Sequence, residues 1–359
     1  MAGVLSRFSS ATATTIQQLK NISINENTVK STAFWLSVWK KWGLEKEIAA
    51  KIENYEPTQF NSLLERFYAE IKNKHGEDYE PESLKVMITS LDRHLKNKDY
   101  KLSIIRDREF SSSKQVLDGK AKQLRLAGRG KRPNKARQLS EEEEEILWKS
   151  EKLGGKTPES LIHTMWWLLT QQFGLRGRQE HHGMRLEDFR IMKGDDGLEF
   201  AEGPTKTRPG GLNAKPRQFQ PKMFQTGGER CPVALFCQYI NRRPRNLWAS
   251  GPFYLSIKYY SGPGDETWYK VKPMGENKIN TMMKNIISQT ILKSSEKRFT
   301  NHSARKTLVS MMKKANLEWS SIAKVTGHRN IQSLDDYDEA DEDEQRQLSW
   351  AFSKGNSGK

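Results

Sequence analysis

Cysteine is nearly absent from this 359-residue chain, which has two, Cys231 and Cys237. So few thiols argue against a disulfide scaffold and against a zinc module, and they fit a reducing compartment. Both read as ordinary thiols in or near a helix. Long apolar runs are missing too, so no segment reads as a bilayer span, and the opening Met1-Ala2-Gly3-Val4-Leu5-Ser6-Arg7 lacks the apolar core of a secretory signal. The expectation is an intracellular protein with no membrane partner. Acid is in short supply relative to base: 44 Asp and Glu stand against 60 Lys and Arg, for a formal net charge of +16 and a pI near 9.6. Such an excess is an electrostatic footprint for a phosphate backbone. It also serves ribosomal, RNA-binding and membrane-surface proteins, so composition alone does not choose DNA.

What is present is helical periodicity on either side of a basic stretch, and the length suits two domains. Residues 1–27, rich in Ser, Thr, Ala and Asn, read as a flexible leader, with order expected from Thr28. Over 28–119 the spacing predicts an all-α domain of four short helices. One carries Phe34, Trp35, Val38, Trp39 and Trp42, and one carries Phe60, Leu63, Leu64, Phe67, Tyr68 and Ile71. One follows Pro81, with Leu84, Met87, Ile88, Leu91 and Leu95, and the last carries Phe110, Val116, Leu117 and Leu124. The Trp35, Trp39 and Trp42 stripe reads as core or as a base-stacking surface. Residues 120–139 form a basic linker with Lys120, Lys122, Arg125, Arg129, Lys131, Arg132, Lys135 and Arg137, broken by Gly128, Gly130 and Pro133. It fits a solvated connector, a nuclear localisation signal, or a strap across a DNA backbone.

A second, mainly helical domain with a small sheet is expected over 140–344. Ser140 and Glu143 make a capping box for a helix opening on Glu141 to Glu145. Pro158 to Phe173 reads as a buried helix. It leads into Phe173-Gly174-Leu175-Arg176-Gly177-Arg178-Gln179-Glu180-His181-His182, where an arginine leaving a buried helix needs an anion: Glu180, or a phosphate. A hairpin around Gly194-Asp195-Asp196-Gly197 continues toward Lys206 and Arg208. Cys231 to Ile240 reads as helix, Phe253 to Leu255 as strand, and Gly275 to Leu292 as helix. Asn301-His302-Ser303-Ala304-Arg305-Lys306-Thr307 then places His302 and Arg305 one helical turn apart. Thr326-Gly327-His328-Arg329 and Tyr337 follow, within the acidic surroundings Asp335-Asp336-Tyr337-Asp338-Glu339 and Asp341 to Glu344. The acid reads as a solvated helix face, as a brake on cleavage, or as a divalent-ion site, for which no completing acidic cluster is evident.

Gly-Leu-Arg at 174–176, a hairpin lysine at 206, His-x-x-Arg at 302–305, Gly-His at 327–328 and Tyr337 resemble the ordered signature of tyrosine recombinases, the phage-integrase class. Over roughly 140–350, Phe-Gly-Leu-Arg-Gly-Arg-Gln-Glu-His, Gly-Glu-Arg-Cys-Pro-Val, Asn-His-Ser-Ala-Arg-Lys-Thr and Thr-Gly-His-Arg-Asn resemble Crypton transposon recombinases more closely. They also resemble the Crypton-derived domains of vertebrate MYM-type zinc-finger and glutamine-rich proteins. The resemblance implies an all-α core-binding domain followed by a catalytic domain that cuts double-stranded DNA through a 3′-phosphotyrosine, without metal or ATP. It implies Arg176 and Arg305 as phosphate clamps, His302 as general base, His328 as a further phosphate donor, Lys206 as general acid and Tyr337 as nucleophile. Arg178, Arg208 and Lys306 join the linker cations as DNA contacts. Gln179 stands where the family has an acid, with Glu180 one position later, which leaves Arg178 in competition with Arg176. The class also implies a homo-oligomer, dimer or tetramer on DNA, with the tail 345–359 as a docking segment. A catalytically silent DNA-binding protein and a type IB topoisomerase are the alternatives.

Overall fold

The computed structural model describes residues 10–48, 51–130, 135–194, 196–203, 205, 210–212, 217, 220–259, 266–328, 330–337 and 342–353, with the backbone alone at 335–336, 342–344, 347–348 and 351. The chain divides into two compact units, Met1–Pro133 and Asn134–Lys359. Helices predominate, joined by two small antiparallel sheets.

The first unit is all helix. Helix α1 (Ala13–Ile22) and the start of α2 (Glu26–Glu45) lie within the stretch expected to be leader. Helix α1 is capped locally, Thr12 Oγ1 accepting the backbone N–H of Thr15, and none of its residues is buried. In α2 the Trp35, Trp39 and Trp42 stripe is core, with the Trp39 ring 5.7 Å from Phe60 and 5.0 Å from Phe67. Phe34 is half exposed. Helices α3 (Pro57–Glu70) and α4 (Pro81–Asn97) each begin on proline, where the missing N–H costs nothing. Full burial of Phe60 and Phe67 contributes about 2–3 kcal/mol each.

Helix α5 (Ser111–Leu126) corrects the expected linker. Lys120, Lys122 and Arg125 are helical, and Lys120 is tied down within the first unit. Its ammonium donates to Ala69 O at 2.8 Å and pairs with Asp78 at 3.3 Å, with the side chain 10% exposed. At the other end of the same stretch, Arg137 N–H bonds Arg298 O at 3.1 Å and Leu139 N–H bonds Thr307 Oγ1 at 2.9 Å. Lys131 and Arg132 lie outside the described residues.

The second unit opens with α6 (Glu141–Lys149), whose Ser140/Glu143 capping box is formed. Helix α7 (Pro158–Phe173) is buried on nearly all sides. After α8 (Gln179–His182) come β1 (Phe189–Ile191), β2 (Gly197–Phe200) and β3 (Lys222–Phe224), antiparallel in that order, with Phe189 opposite Phe200 and Leu198 opposite Met223. Helix α9 (Pro232–Asn241) places Cys231 at its N-cap, buried, and Cys237 on its exposed side. Strands β4 (Leu255–Ile257) and β5 (Tyr269–Pro273) pair antiparallel.

The single helix expected over 275–292 is broken into α10 (Glu276–Asn280) and α11 (Met282–Ser288). Thr281 Oγ1 turns back to Asn277 O at 3.1 Å, and the Asn301 side chain takes Ile279 O and Met283 N–H in place of the helical ladder. Helices α12 (Asn301–Lys314) and α13 (Trp319–Thr326), a 3₁₀ segment Ile331–Tyr337, and α14 (Glu342–Ser353) complete the unit. No described helix is long and apolar enough to cross a membrane.

Candidate active site

Helix α12 is the spine of the site. Thr300 caps it through a capping box with Ser303, and Gln171 of α7 donates to Ala304 O at 2.8 Å. His302, exposed, and Lys306, buried, stand one turn apart on this helix, and both meet Tyr337. The His302 and Tyr337 ring centroids are 5.5 Å apart, and Lys306 Nζ lies 5.9 Å from the Tyr337 ring centre. His328 closes a third side, edge-on at 5.4 Å. Val309, Ile322, Ala323 and Leu334 form the apolar cluster under the tyrosine ring.

Lys306 is 4% exposed, buried against the Tyr337 ring and not standing on the surface. A cation against the open face of an aromatic ring is favourable in itself.

Arg305 points inward from the same helix and is 2% exposed. Its guanidinium donates to Gly174 O and to Thr326 O. These carbonyls sit at the C-terminal ends of α7 and α13, both closed by left-handed glycines, Gly174 and Gly327. Helix ends of this kind carry partial negative charge, which offsets the desolvation of the arginine. Burial lowers the Arg305 pKa, and Tyr337 opposes that shift.

His328 lies against this arginine, its ring nitrogens 3.4 and 3.5 Å from Arg305 Nη2. Burial, then Arg305, Arg176 and His302, push its pKa down to about 3, so the ring is neutral. Its tautomer follows from the network. The one proton of the Thr326 hydroxyl goes to Ile322 O at 2.6 Å, so that hydroxyl accepts from His328 Nδ1–H, also at 2.6 Å. The Nε2 lone pair is left as an acceptor.

Arg176 and Arg178 are separated by their surroundings. Arg176 acts electrostatically on both Arg305 and His328, so it faces the cluster. Glu180 accepts both its backbone N–H and its guanidinium Nη1, each at 2.6 Å. The acid one position late in the motif is therefore the partner of Arg176. Arg178 is exposed and pairs with Glu276 of α10 at 2.6 Å.

Asn301 pins the far end of this loop. Its Nδ2 donates to Gly177 O at 2.6 Å, and a Cβ on Gly177 would stand 2.5 Å from Asn301 Cβ. Asn301 and Thr326 were not singled out as site residues from the sequence, although both lie inside quoted motifs.

Lys206 and Arg208 lie outside the described residues. Of the other expected DNA contacts, Lys122 pairs with Asp118, Arg125 lies 3.7 Å from Glu82 and Arg129 lies 3.6 Å from Glu80. Such surface pairs are worth about 0–1 kcal/mol and exchange readily for phosphate. Lys135 is half-buried and Arg137 exposed.

Residues 138–288 match a family model described as a domain of unknown function, DUF3504. Among curated proteins the chain is similar to the uncharacterized protein KIAA1958 of Homo sapiens. The two are 27% identical over 289 residues, covering 78% of this chain and 40% of that protein. It is also similar to zinc finger MYM-type protein 3 of Mus musculus, 25% identical over 249 residues, covering 64% of this chain and 18% of that protein. The chain thus spans two fifths or less of the length of these relatives. Among solved structures it is similar to the Tn1549 transposon integrase in complex with transposon right end DNA. The TM-score is 0.53 at 15% identity, covering 94% of this chain and 98% of that one. A complex of the same integrase with circular intermediate DNA gives 0.52 at 16% identity, covering 94% and 97%. At such identity the likeness is one of fold: this chain has a fold like that of the Tn1549 transposon integrase.

Proposed function

We propose that this chain binds double-stranded DNA and breaks and rejoins one strand through Tyr337, as a site-specific recombinase or transposase of the Crypton type. The observation that carries the reading is the arrangement around Tyr337. A phenol that needs its proton removed stands 5.5 Å ring to ring from His302 and 5.4 Å from His328, with Lys306 against its face. Arg305 Nη2 lies 3.4 and 3.5 Å from the His328 ring nitrogens, and Arg176 acts on the same ring electrostatically.

In the proposed reaction Tyr337 Oη attacks phosphorus as His302 takes its proton, and the bond to the 5′ oxygen breaks. Arg176 and Arg305 stabilise the extra negative charge of the pentavalent transition state. An anionic phosphate also favours the imidazolium form of His328, which turns Nε2 into a donor. Lys206, by resemblance, protonates the leaving 5′ oxygen. The 3′-phosphotyrosine keeps the energy of the broken bond, so attack by a second 5′ hydroxyl reseals the strand. Strand exchange needs more than one subunit, and α14, with Trp350 and Phe352 exposed, offers an apolar segment to another copy. A nuclear setting belongs to the same proposal, supported by the basic stretch 120–137 as a candidate localisation signal.

One observation favours a silent DNA-binding protein on the same fold. Arg305 already gives donors to two backbone carbonyls and Arg176 gives one to Glu180, which leaves each guanidinium fewer N–H groups for a phosphate. Covalent trapping separates the two readings. Incubated with nicked duplexes and no metal, the wild type yields an adduct that survives denaturing electrophoresis, and Tyr337→Phe yields none. Tight binding without an adduct on any substrate overturns the enzymatic reading.

A further inference from the structure

Arg217 stands on the connection between β2 and β3, outside every motif of the site, with its side chain 7% exposed. Its guanidinium Nη2 donates to Phe173 O at 3.1 Å and also to Val325 O. Those are the carbonyls immediately before Gly174 O and Thr326 O, which Arg305 holds. Two guanidinium groups therefore straddle the same pair of helix ends, one on each successive pair of carbonyls.

The pairing has a physical cause. The last carbonyls of a helix lack intrahelical partners, and each helix C-terminus carries a partial charge of about −0.5. Here two such ends are pressed together. A Cβ on Gly174 would stand 2.5 Å from Val325 O and 2.8 Å from Thr326 Cα. Partial negative charges brought together at two helix ends repel, and cations between them offset that repulsion. Glu202, 12% exposed and 3.4 Å from Arg217 Nη1, supplies the counter-charge that makes burial of this arginine tolerable.

The segments just beyond the clamped carbonyls carry the chemistry: Arg176 lies two residues past Gly174, and His328 two past Thr326. We infer that Arg217 is a positioning residue of the site, the second arm of a two-arginine clamp that sets the separation of the Arg176 and His328 segments. It acts through backbone carbonyls and not on the reacting atoms. A planar fork spans two carbonyls with fixed geometry, which an ammonium does not reproduce. Calling the clamped segments catalytic rests on the function proposed above, whereas the clamp itself is a property of the free protein.

The test uses the full chain as Arg217→Met and Arg217→Lys, with two readouts. The first is NMR titration of the His328 ring in the absence of DNA. This ring is faced by Arg305 and His302 of α12, by Arg176, by Thr326 and by Tyr337, and in the wild type it stays neutral down to pH 4. In Arg217→Met the separation loosens, water reaches the ring, and its midpoint rises by at least one pH unit, with a smaller rise in Arg217→Lys. The second is adduct yield at saturating DNA. It falls about tenfold or more in both variants while DNA affinity holds, since small misplacements near reacting groups are costly. A folded Arg217→Met with the wild-type His328 midpoint overturns the clamp. If that variant does not fold, an unchanged midpoint in Arg217→Lys overturns it instead. Absence of adduct from the wild type removes the covalent reading and leaves the His328 readout to decide the clamp.

Discussion

Arg305 is legible in the sequence as a cation one turn from His302, but its direction is not. The side chain turns away from solvent because two helix ends converge where its guanidinium can reach both, and Lys306 is buried by the same packing against the Tyr337 ring. His181 is a residue whose role only the interior shows. It has no exposed surface. Thr170 gives its own proton to Trp166 O, and so accepts from His181 Nε2 at 3.0 Å. Tyr254 OH then donates to Nδ1 at 2.7 Å. Burial holds the folded pKa at about 3, against 6.5 for a free imidazole. Because the folded value is the lower one, the unfolded chain takes up the proton first as pH falls. This contribution to stability is complete above about pH 6.5 and is lost progressively down to about pH 3. Lowering the pH from 7 to 5 should cost the second unit about 2 kcal/mol through this group. Chemical denaturation at the two pH values checks it: His181→Gln should flatten the difference by about that amount, and an unchanged difference rejects the assignment.

At the scale of elements, α12 gathers most of the site. Its first turn is organised by Thr300, whose Oγ1 accepts His302 N–H at 3.2 Å while Ser303 Oγ accepts Thr300 N–H at 3.0 Å. Removing the cap should fray the turn that carries His302 and leave Arg305, deeper in the helix, in place. Thr300→Ala is expected to cost about 1 kcal/mol of stability, read by denaturant titration, and to increase amide exchange at His302 more than at Arg305. Equal exchange at both would mean that packing, not the cap, holds the first turn. Helix periodicity, capping boxes and proline starts were local signals, and α3, α4, α6 and α7 could be read from them. The break between α10 and α11 could not, because the amide that replaces the helical bonds comes from Asn301, 20 residues beyond Thr281.

Across the whole molecule the +16 charge is the term that acts at a distance. If DNA is the partner, log affinity for duplex should fall linearly with log salt, with a slope of roughly −0.9 per phosphate neutralised. Arg129→Gln should make that slope shallower by about one, because Arg129, 37% exposed, keeps only a 3.6 Å pair with Glu80. Lys120→Gln should leave the slope alone and lower the stability of the first unit, since its ammonium is tied to Ala69 O and Asp78. Filter-binding titrations from 50 to 200 mM salt distinguish the two, and equal changes in slope would place Lys120 at the phosphate backbone after all.

The helical class, the small antiparallel hairpin and the order of Arg176, His302, Arg305, His328 and Tyr337 are legible in the chain alone, because periodicity, capping and motif spacing are local properties. What each cation meets is set by the tertiary packing. Lys120 and Lys120's neighbours in α5 look alike in sequence, as do Arg176 and Arg178, and Arg217 carries no motif at all. Their roles depend on the carbonyl, carboxylate or ring that each meets across the fold, and helix ends such as those of α7 and α13 come together only when the fold brings them there.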